Sequence, residues 1–73
     1  MRTYIVKMLW EDGMWFTKTC EDLSIHLESS SFDNLVERVK VATPEMLELN
    51  CNYTGPVELI FETERKEILG DIA

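Results

Sequence analysis

A single amphipathic helix is the pattern that most constrains how this chain can fold. Residues 31–50 carry apolar side chains mostly three or four positions apart, with charged side chains mostly between them. This spacing gathers the apolar side chains on one side of an α-helix. Ser31 suits the N-cap because its hydroxyl can accept a hydrogen bond from a backbone N–H, and Asp33 suits the positive end of the helix dipole. The predicted buried side comprises Phe32, Leu35, Val36, Val39, Ala42, Met46 and Leu49.

Pro44 interrupts this helical pattern. It has no N–H to donate to the carbonyl of Lys40, and its ring crowds that turn. The helix therefore either kinks there, or ends and begins again with Thr43 as a second N-cap and Pro44 at the first helical position. Apolar residues continue beyond the proline, which favours a kink.

The remaining segments have the composition or alternation of β-strands, and residues 50–56 are typical of a loop. Asp12-Gly13 between the first two strands is typical of a two-residue type I′ turn. Such a turn places Lys7 opposite Lys18, and because like charges repel there, a three-residue turn remains an alternative. Strands are predicted over residues 3–10, 14–19, 23–28 and 57–62, the last with an extension to 63 or 64.

One helix needs a sheet on which to bury its apolar side, so we expect a two-layer α+β fold of order β-β-β-α-β, with one kinked helix on a four-stranded sheet. The first three strands form an antiparallel meander, and a right-handed crossover returns the fourth strand beside the first. The predicted spatial order is 3-2-1-4. Residues 1–73 form one domain, and residues 65–73 are either a frayed tail or a short arm that docks on a neighbour.

Charge and hydropathy exclude several classes of function. The chain has 14 acidic and 7 basic side chains and a net charge of −7, which disfavours direct binding of nucleic acid. The excess of acid fits either solubility or a basic protein partner. No apolar run approaches the ~18–20 residues that span a bilayer. Residues 1–4 also lack a secretory signal, so we expect a cytoplasmic protein without membrane contact.

No catalytic, metal or cofactor site is predicted. Cys20 and Cys51 are far apart in sequence and are interpreted as free thiols, and His26 lies on the polar side of a strand. The carboxylates form no clear metal cage, and neither a Ser/His/Asp triad nor a phosphate-binding glycine loop is present. We therefore expect a protein that is not an enzyme.

The first strand is apolar on both faces, whereas a single helix covers only one face of the sheet. Ile5, Leu9 and Phe16 fall on the uncovered face and are the candidate dimer surface. We expect another chain, most simply a second copy in a homodimer, to cover this face or a sheet edge. The alternative is that the carboxyl-terminal tail covers this face.

Short motifs resemble, in order and spacing, those of HicB-like antitoxin domains: WE at 10–11 followed by GMW at 13–15, DLSI at 22–25 followed by Glu28, SFDNL at 31–35 and PEMLELN at 44–50. The last is similar to the "PELLELN" helix end of a short, uncharacterised branch of that superfamily. The resemblance implies a truncated ribonuclease-H-like fold that is not a nuclease and that masks a small basic HicA-like toxin. Two departures are the short segment after strand 4, which leaves no room for the usual DNA-binding module, and Leu23-Ser24 where proline and glycine are usual.

Two functions follow from these observations. The first is a non-catalytic interaction domain that captures a basic partner through charge. The second is a homodimeric structural or small-ligand-binding module without a toxin partner, in which Tyr4, Trp10, Trp15 and Phe16 could line a pocket. The candidate partner-binding residues of the first function are Glu21, Asp22, Glu28, Glu58, Glu62 and Glu64.

Overall fold

A computed structural model describes residues 1–19, 23–65 and 67–70. The chain forms one four-stranded sheet of order β3-β2-β1-β4 with a single helix. Strand β2 is antiparallel to both of its neighbours, and β4 is parallel to β1. The predicted α+β fold, its element order and its strand order are therefore confirmed. The elements are β1 (Arg2–Glu11), β2 (Met14–Lys18), β3 (Glu28–Ser29), α1 (Phe32–Cys51) and β4 (Val57–Glu64).

The β1–β2 turn has the two-residue geometry that its sequence predicts. Asp12 and Gly13 both have positive φ, 52° and 78°, as a type I′ turn requires. Lys7 consequently lies opposite Lys18, and the three-residue alternative is wrong. On its other side Lys7 lies beside Glu62 of β4, and this opposite charge offsets part of the repulsion between the lysines.

Replacing Gly13 by alanine should lower the free energy of unfolding by about 1–2 kcal/mol, because a side chain is strained at positive φ. No atom lies within 4 Å of the position of the added Cβ, so the cost is conformational and not steric. Urea denaturation measures the change. Gly70→Ala is the control, since its Cβ also meets nothing within 4 Å and its φ is not positive. Equal losses in the two variants would contradict this account of the turn.

Helix α1 begins where the sequence predicts. The Ser31 hydroxyl accepts a hydrogen bond from the Asn34 N–H at 3.2 Å, which confirms the N-cap. At the other end Asn52 has the left-handed conformation, with φ 53°. Its N–H donates to the Glu48 carbonyl at 3.1 Å, and the next N–H donates to the Leu47 carbonyl at 3.2 Å. These bonds satisfy carbonyls of the last turn.

The helix runs through Pro44 without interruption. The alternative of a second start capped by Thr43 is thus wrong, whereas the kink itself stays a prediction. Thr43 is buried, and its hydroxyl donates to the Val39 carbonyl one turn earlier at 2.7 Å. This internal bond lets a polar side chain face the sheet.

The core lies between α1 and one face of the sheet. Its helical part is a ridge of residues four positions apart, Leu35, Val39, Thr43 and Leu47, each almost fully buried. Leu49 was predicted on this side but is 83% exposed, so that prediction is wrong. Leu49 lies two positions after Leu47, a rotation of about 200° around the helix. The sheet and the segment before β3 complete the core with Val6, Met8, Leu23 and Ile25.

The third predicted strand, residues 23–28, is corrected to the short β3. Leu23 and Ile25 are buried and His26 is exposed, so the predicted alternation holds. The Thr17 N–H still donates to the Leu27 carbonyl at 3.0 Å, but other backbone groups of this segment bond to threonine side chains, so regular pairing is lost. The Thr17 hydroxyl donates to the Ile25 carbonyl at 2.9 Å and accepts from the Leu27 N–H at 3.0 Å. Similarly, the Thr19 hydroxyl accepts from the Ile25 N–H at 3.0 Å.

Candidate functional site

The sheet face opposite α1 is the candidate site, and we call it the open face. Side chains alternate along each strand, so Val6 and Met8 are buried against α1, whereas the intervening residues point the other way. Residues paired across strands share a face, so the strand register gives its membership. The open face comprises Thr3, Ile5, Lys7, Leu9 and Glu11 of β1, Met14, Phe16 and Lys18 of β2, Glu28 of β3, and Glu58, Ile60, Glu62 and Glu64 of β4.

The three residues predicted as a dimer surface lie together on this face. Leu9 is beside Phe16, and Ile5 is beside Ile60. Ile5 is 47% exposed and Ile60 42% exposed, while the other two are half-buried. Ile60 was missed by the sequence reasoning, although it stands between two outward glutamates and the strand alternation could have placed it.

The open face also carries four of the six predicted partner-binding acids. Glu28 comes from β3, and Glu58, Glu62 and Glu64 come from β4, and all four are exposed. The Glu58 carboxylate accepts a hydrogen bond from the Thr3 hydroxyl at 3.1 Å. The acidic and apolar candidates therefore form one surface, not two. The remaining two acids, Glu21 and Asp22, lie outside the described residues.

Charge on the open face follows the strand order. The glutamates Glu28, Glu58, Glu62 and Glu64 lie on the two outer strands, whereas Lys7 and Lys18 lie on the two inner strands, with Glu11 as an acid at the end of β1. A concavity of about 470 Å³ lies in the middle of the face. Both lysines line it together with Ile5, Thr19 and Glu62. The face thus has an apolar and basic centre with acidic margins.

Comparison with known proteins now identifies the family. The model described as "Domain of unknown function (DUF1902)" matches residues 3–69. The chain belongs to the DUF1902 family. Its fold is similar to that of a solved structure, hypothetical protein TTHA1013 from the extremely thermophilic bacterium Thermus thermophilus, with a TM-score of 0.75 and 30% sequence identity over 93% of this chain and 100% of that one. No curated protein matches the chain.

These DUF1902 comparisons establish family and fold but describe no activity. The likeness to HicB-like antitoxins and the basic partner that it implies therefore stay predictions. Among the described residues no helix is long and apolar enough to cross a membrane. Within the same residues no group of three or more histidine, cysteine or acidic side chains is placed to hold a metal ion.

In this DUF1902 domain the described residues after β4 border the open face without covering it. A hollow of about 570 Å³ is lined by Leu9 and Phe16 on one side and by Glu64, Arg65, Glu67 and Ile68 on the other. The Arg65 guanidinium lies 5.1 Å from the centre of the Trp10 ring. Ile68 is nevertheless 96% exposed, so the described part of the tail leaves the open face accessible. For this part, the prediction that the tail covers the face is wrong.

The aromatic residues do not form the single pocket considered for the ligand-binding alternative. Trp10 and Phe16 both line the hollow beside the tail, but Trp15 packs on the other face, its ring 4.9 Å from that of Phe32. Tyr4 lies farther along β1 and accepts a hydrogen bond from Arg2 at 3.2 Å. Trp15 and Tyr4 therefore have structural contacts instead.

A basic and aromatic cluster at the start of β1 fastens the strand to the chain that follows α1. The Arg2 guanidinium lies 4.4 Å from the centre of the Tyr53 ring. The hydrogen bond to Tyr4 raises the pKa of Arg2 above its ordinary value, and Cys51 contributes in the same direction. Cys51 is a half-buried free thiol. We assign this cluster a structural role, since its groups contact one another.

Proposed function

We propose that this protein is a non-catalytic interaction domain of the cytoplasm that masks a small basic protein with its open face, in the manner of a HicB-like antitoxin. One observation carries the proposal. Four of the six predicted acids and all three apolar candidates lie on the same face of the sheet, and no described segment of the chain covers that face.

The two kinds of side chain on the open face would have different roles. Burial of the half-exposed Ile5 and Ile60 would supply affinity through the hydrophobic effect. The glutamates at the margins would attract lysine and arginine side chains of the partner, which raises the rate of association and favours basic partners over others. Higher ionic strength would weaken this attraction by screening it.

Reversing two charges on the open face should weaken capture of the partner. The tagged protein is first used to recover its partner from native lysate at low salt, and mass spectrometry identifies it. The E58K/E62K variant should then bind that partner at least about tenfold more weakly, because like charges would now face each other. Surface plasmon resonance at several salt concentrations measures the Kd.

The matched control is E45K/E48K, which changes net charge equally but alters exposed residues of α1 on the other layer. It should retain most of the affinity. Equal losses in the two variants would indicate attraction to net charge alone. An unchanged Kd for E58K/E62K would contradict the proposed function, as would recovery only of untagged copies of the protein itself.

The second candidate is a homodimeric module without a toxin partner. The exposed Ile5 and Ile60, which lie side by side, favour it because a second open face could bury both. Sedimentation equilibrium distinguishes the two functions. Apolar dimerisation persists as ionic strength rises, whereas capture of a basic partner weakens.

A further inference from the structure

The two edges of the sheet offer very different opportunities for a partner. At one edge β3 is only two residues long and leads into α1. At the other edge β4 spans the eight residues Val57–Glu64 and pairs with β1 on one side. Among the described residues, no other strand pairs with the far side of β4. Such an edge presents unpaired N–H and C=O groups to which another strand can add.

The side chains along β4 define which strand would fit there. On the open face every second residue is exposed, and Glu58 and Glu62 flank Ile60. On the other face Leu59 and Phe61 are half-buried and belong to the margin of the core. An added strand would have its own alternate side chains beside these two rows. It would therefore match β4 if basic and apolar residues alternated along it.

The charge of β4 argues against a second copy of the same strand. In an antiparallel pair of β4 strands, the open-face rows of the two copies would lie side by side. Glutamate occupies three of the four positions in this row, with Ile60 as the exception. Like charges on neighbouring strands are destabilising, so repulsion between the glutamates disfavours pairing of two β4 strands.

We propose that the β4 edge accepts an extended segment of the basic partner as a fifth strand, with lysine or arginine at every second position beside Glu58 and Glu62. Apolar side chains of the segment would extend the core row of Leu59 and Phe61. The inference rests on the proposed function for the existence of a basic partner, and it adds how that partner is held. Backbone hydrogen bonds would supply affinity, and the alternating rows would supply specificity.

A synthetic peptide of alternating lysine and valine, matched in length to β4, tests the proposal on the full-length protein. When the peptide saturates the protein, hydrogen exchange measured by NMR should slow about tenfold or more at alternate β4 amides, because the added backbone hydrogen bonds protect them. A peptide of the same sequence and charge, but N-methylated at alternate backbone positions, should bind at least about tenfold more weakly. The E58K/E62K variant should also lose binding of the unmethylated peptide.

The outcomes separate this inference from the proposed function. Equal binding of the two peptides, or binding without protection of β4, would overturn strand addition, yet capture of the native partner through charge would stand. If neither peptide bound but E58K/E62K still weakened capture of the native partner, strand addition would likewise be overturned and the proposed function would stand. Protection of β4 that grows with protein concentration, without peptide, would identify a second copy as the occupant and overturn the proposal.

Discussion

Replacing Leu47 by alanine is expected to lower the free energy of unfolding by about 2–5 kcal/mol. Leu47 is fully buried between α1 and the sheet, and truncation would leave a cavity as well as remove apolar contacts. A domain of this size has a total stability of only ~4–11 kcal/mol, at ~0.05–0.15 kcal/mol per residue. The variant should therefore unfold at a much lower urea concentration, as followed by circular dichroism.

Leu49→Ala is the matched control for this variant. It makes the same substitution in the same turn of α1, so helix propensity changes equally, but Leu49 is 83% exposed. Its effect should stay within about 0.5 kcal/mol. A larger loss at Leu49 than at Leu47 would show that α1 presents a different side to the sheet beyond Pro44.

This pair also marks where sequence reasoning about the helix succeeded and failed. Before Pro44 the apolar spacing identifies Leu35 and Val39 correctly as core residues. The ridge then continues through Thr43, directly before the proline, to Leu47 beyond it, and a hydrophobicity pattern counts Thr43 as polar. Burial of Thr43 depends on the bond from its hydroxyl to the Val39 carbonyl, which the pattern does not contain. The apolar pattern therefore placed Leu49 on the buried side of the helix and left out Thr43.

The strand order and hairpin register of the sheet were more predictable from the sequence than the length of its third strand. Asp12-Gly13 is typical of a two-residue turn, and the handedness of crossovers leaves few places for β4. The sequence therefore favoured the observed hairpin register and strand order, with a three-residue turn left as an alternative. The short length of β3 did not follow from the sequence. The length of β3 depends on a hydroxyl of β2 that takes the place of a backbone partner. Residues 23–28 alternate in the same way whether their partner is a side chain or a backbone group, so alternation does not reveal the difference.

The sequence predicted individual residues of the candidate site, but not that they lie together on one surface. Alternation places Glu58 and Glu62 on one side of their strand, and Ile5 and Leu9 on one side of another. Which sides coincide depends on the parallel register of β1 and β4, where Ile5 lies beside Ile60. The sequence therefore separated partner-binding acids from a dimer surface, whereas the sheet makes both available to one partner.

Replacing Thr17 by valine should cost about 2–4 kcal/mol although the two side chains have nearly the same shape. Thr17 is 5% exposed, and its hydroxyl bonds both the Ile25 carbonyl and the Leu27 N–H. Valine would leave both backbone groups without this partner, and an unsatisfied buried group costs about 1–3 kcal/mol. Urea denaturation measures the total effect.

Thr17→Ser separates the contribution of the hydroxyl to stability from that of the methyl group at this position. Serine keeps both hydrogen bonds and should lose only about 1 kcal/mol for the missing methyl. Amide exchange supplies the local readout, since loss of the hydroxyl should speed exchange at Leu27 in the valine variant but not in the serine variant. If valine were tolerated as well as serine, the Thr17 hydroxyl would have no part in positioning the segment before β3. Burial of Leu23 and Ile25 and the remaining hydrogen bonds of the segment would then hold it.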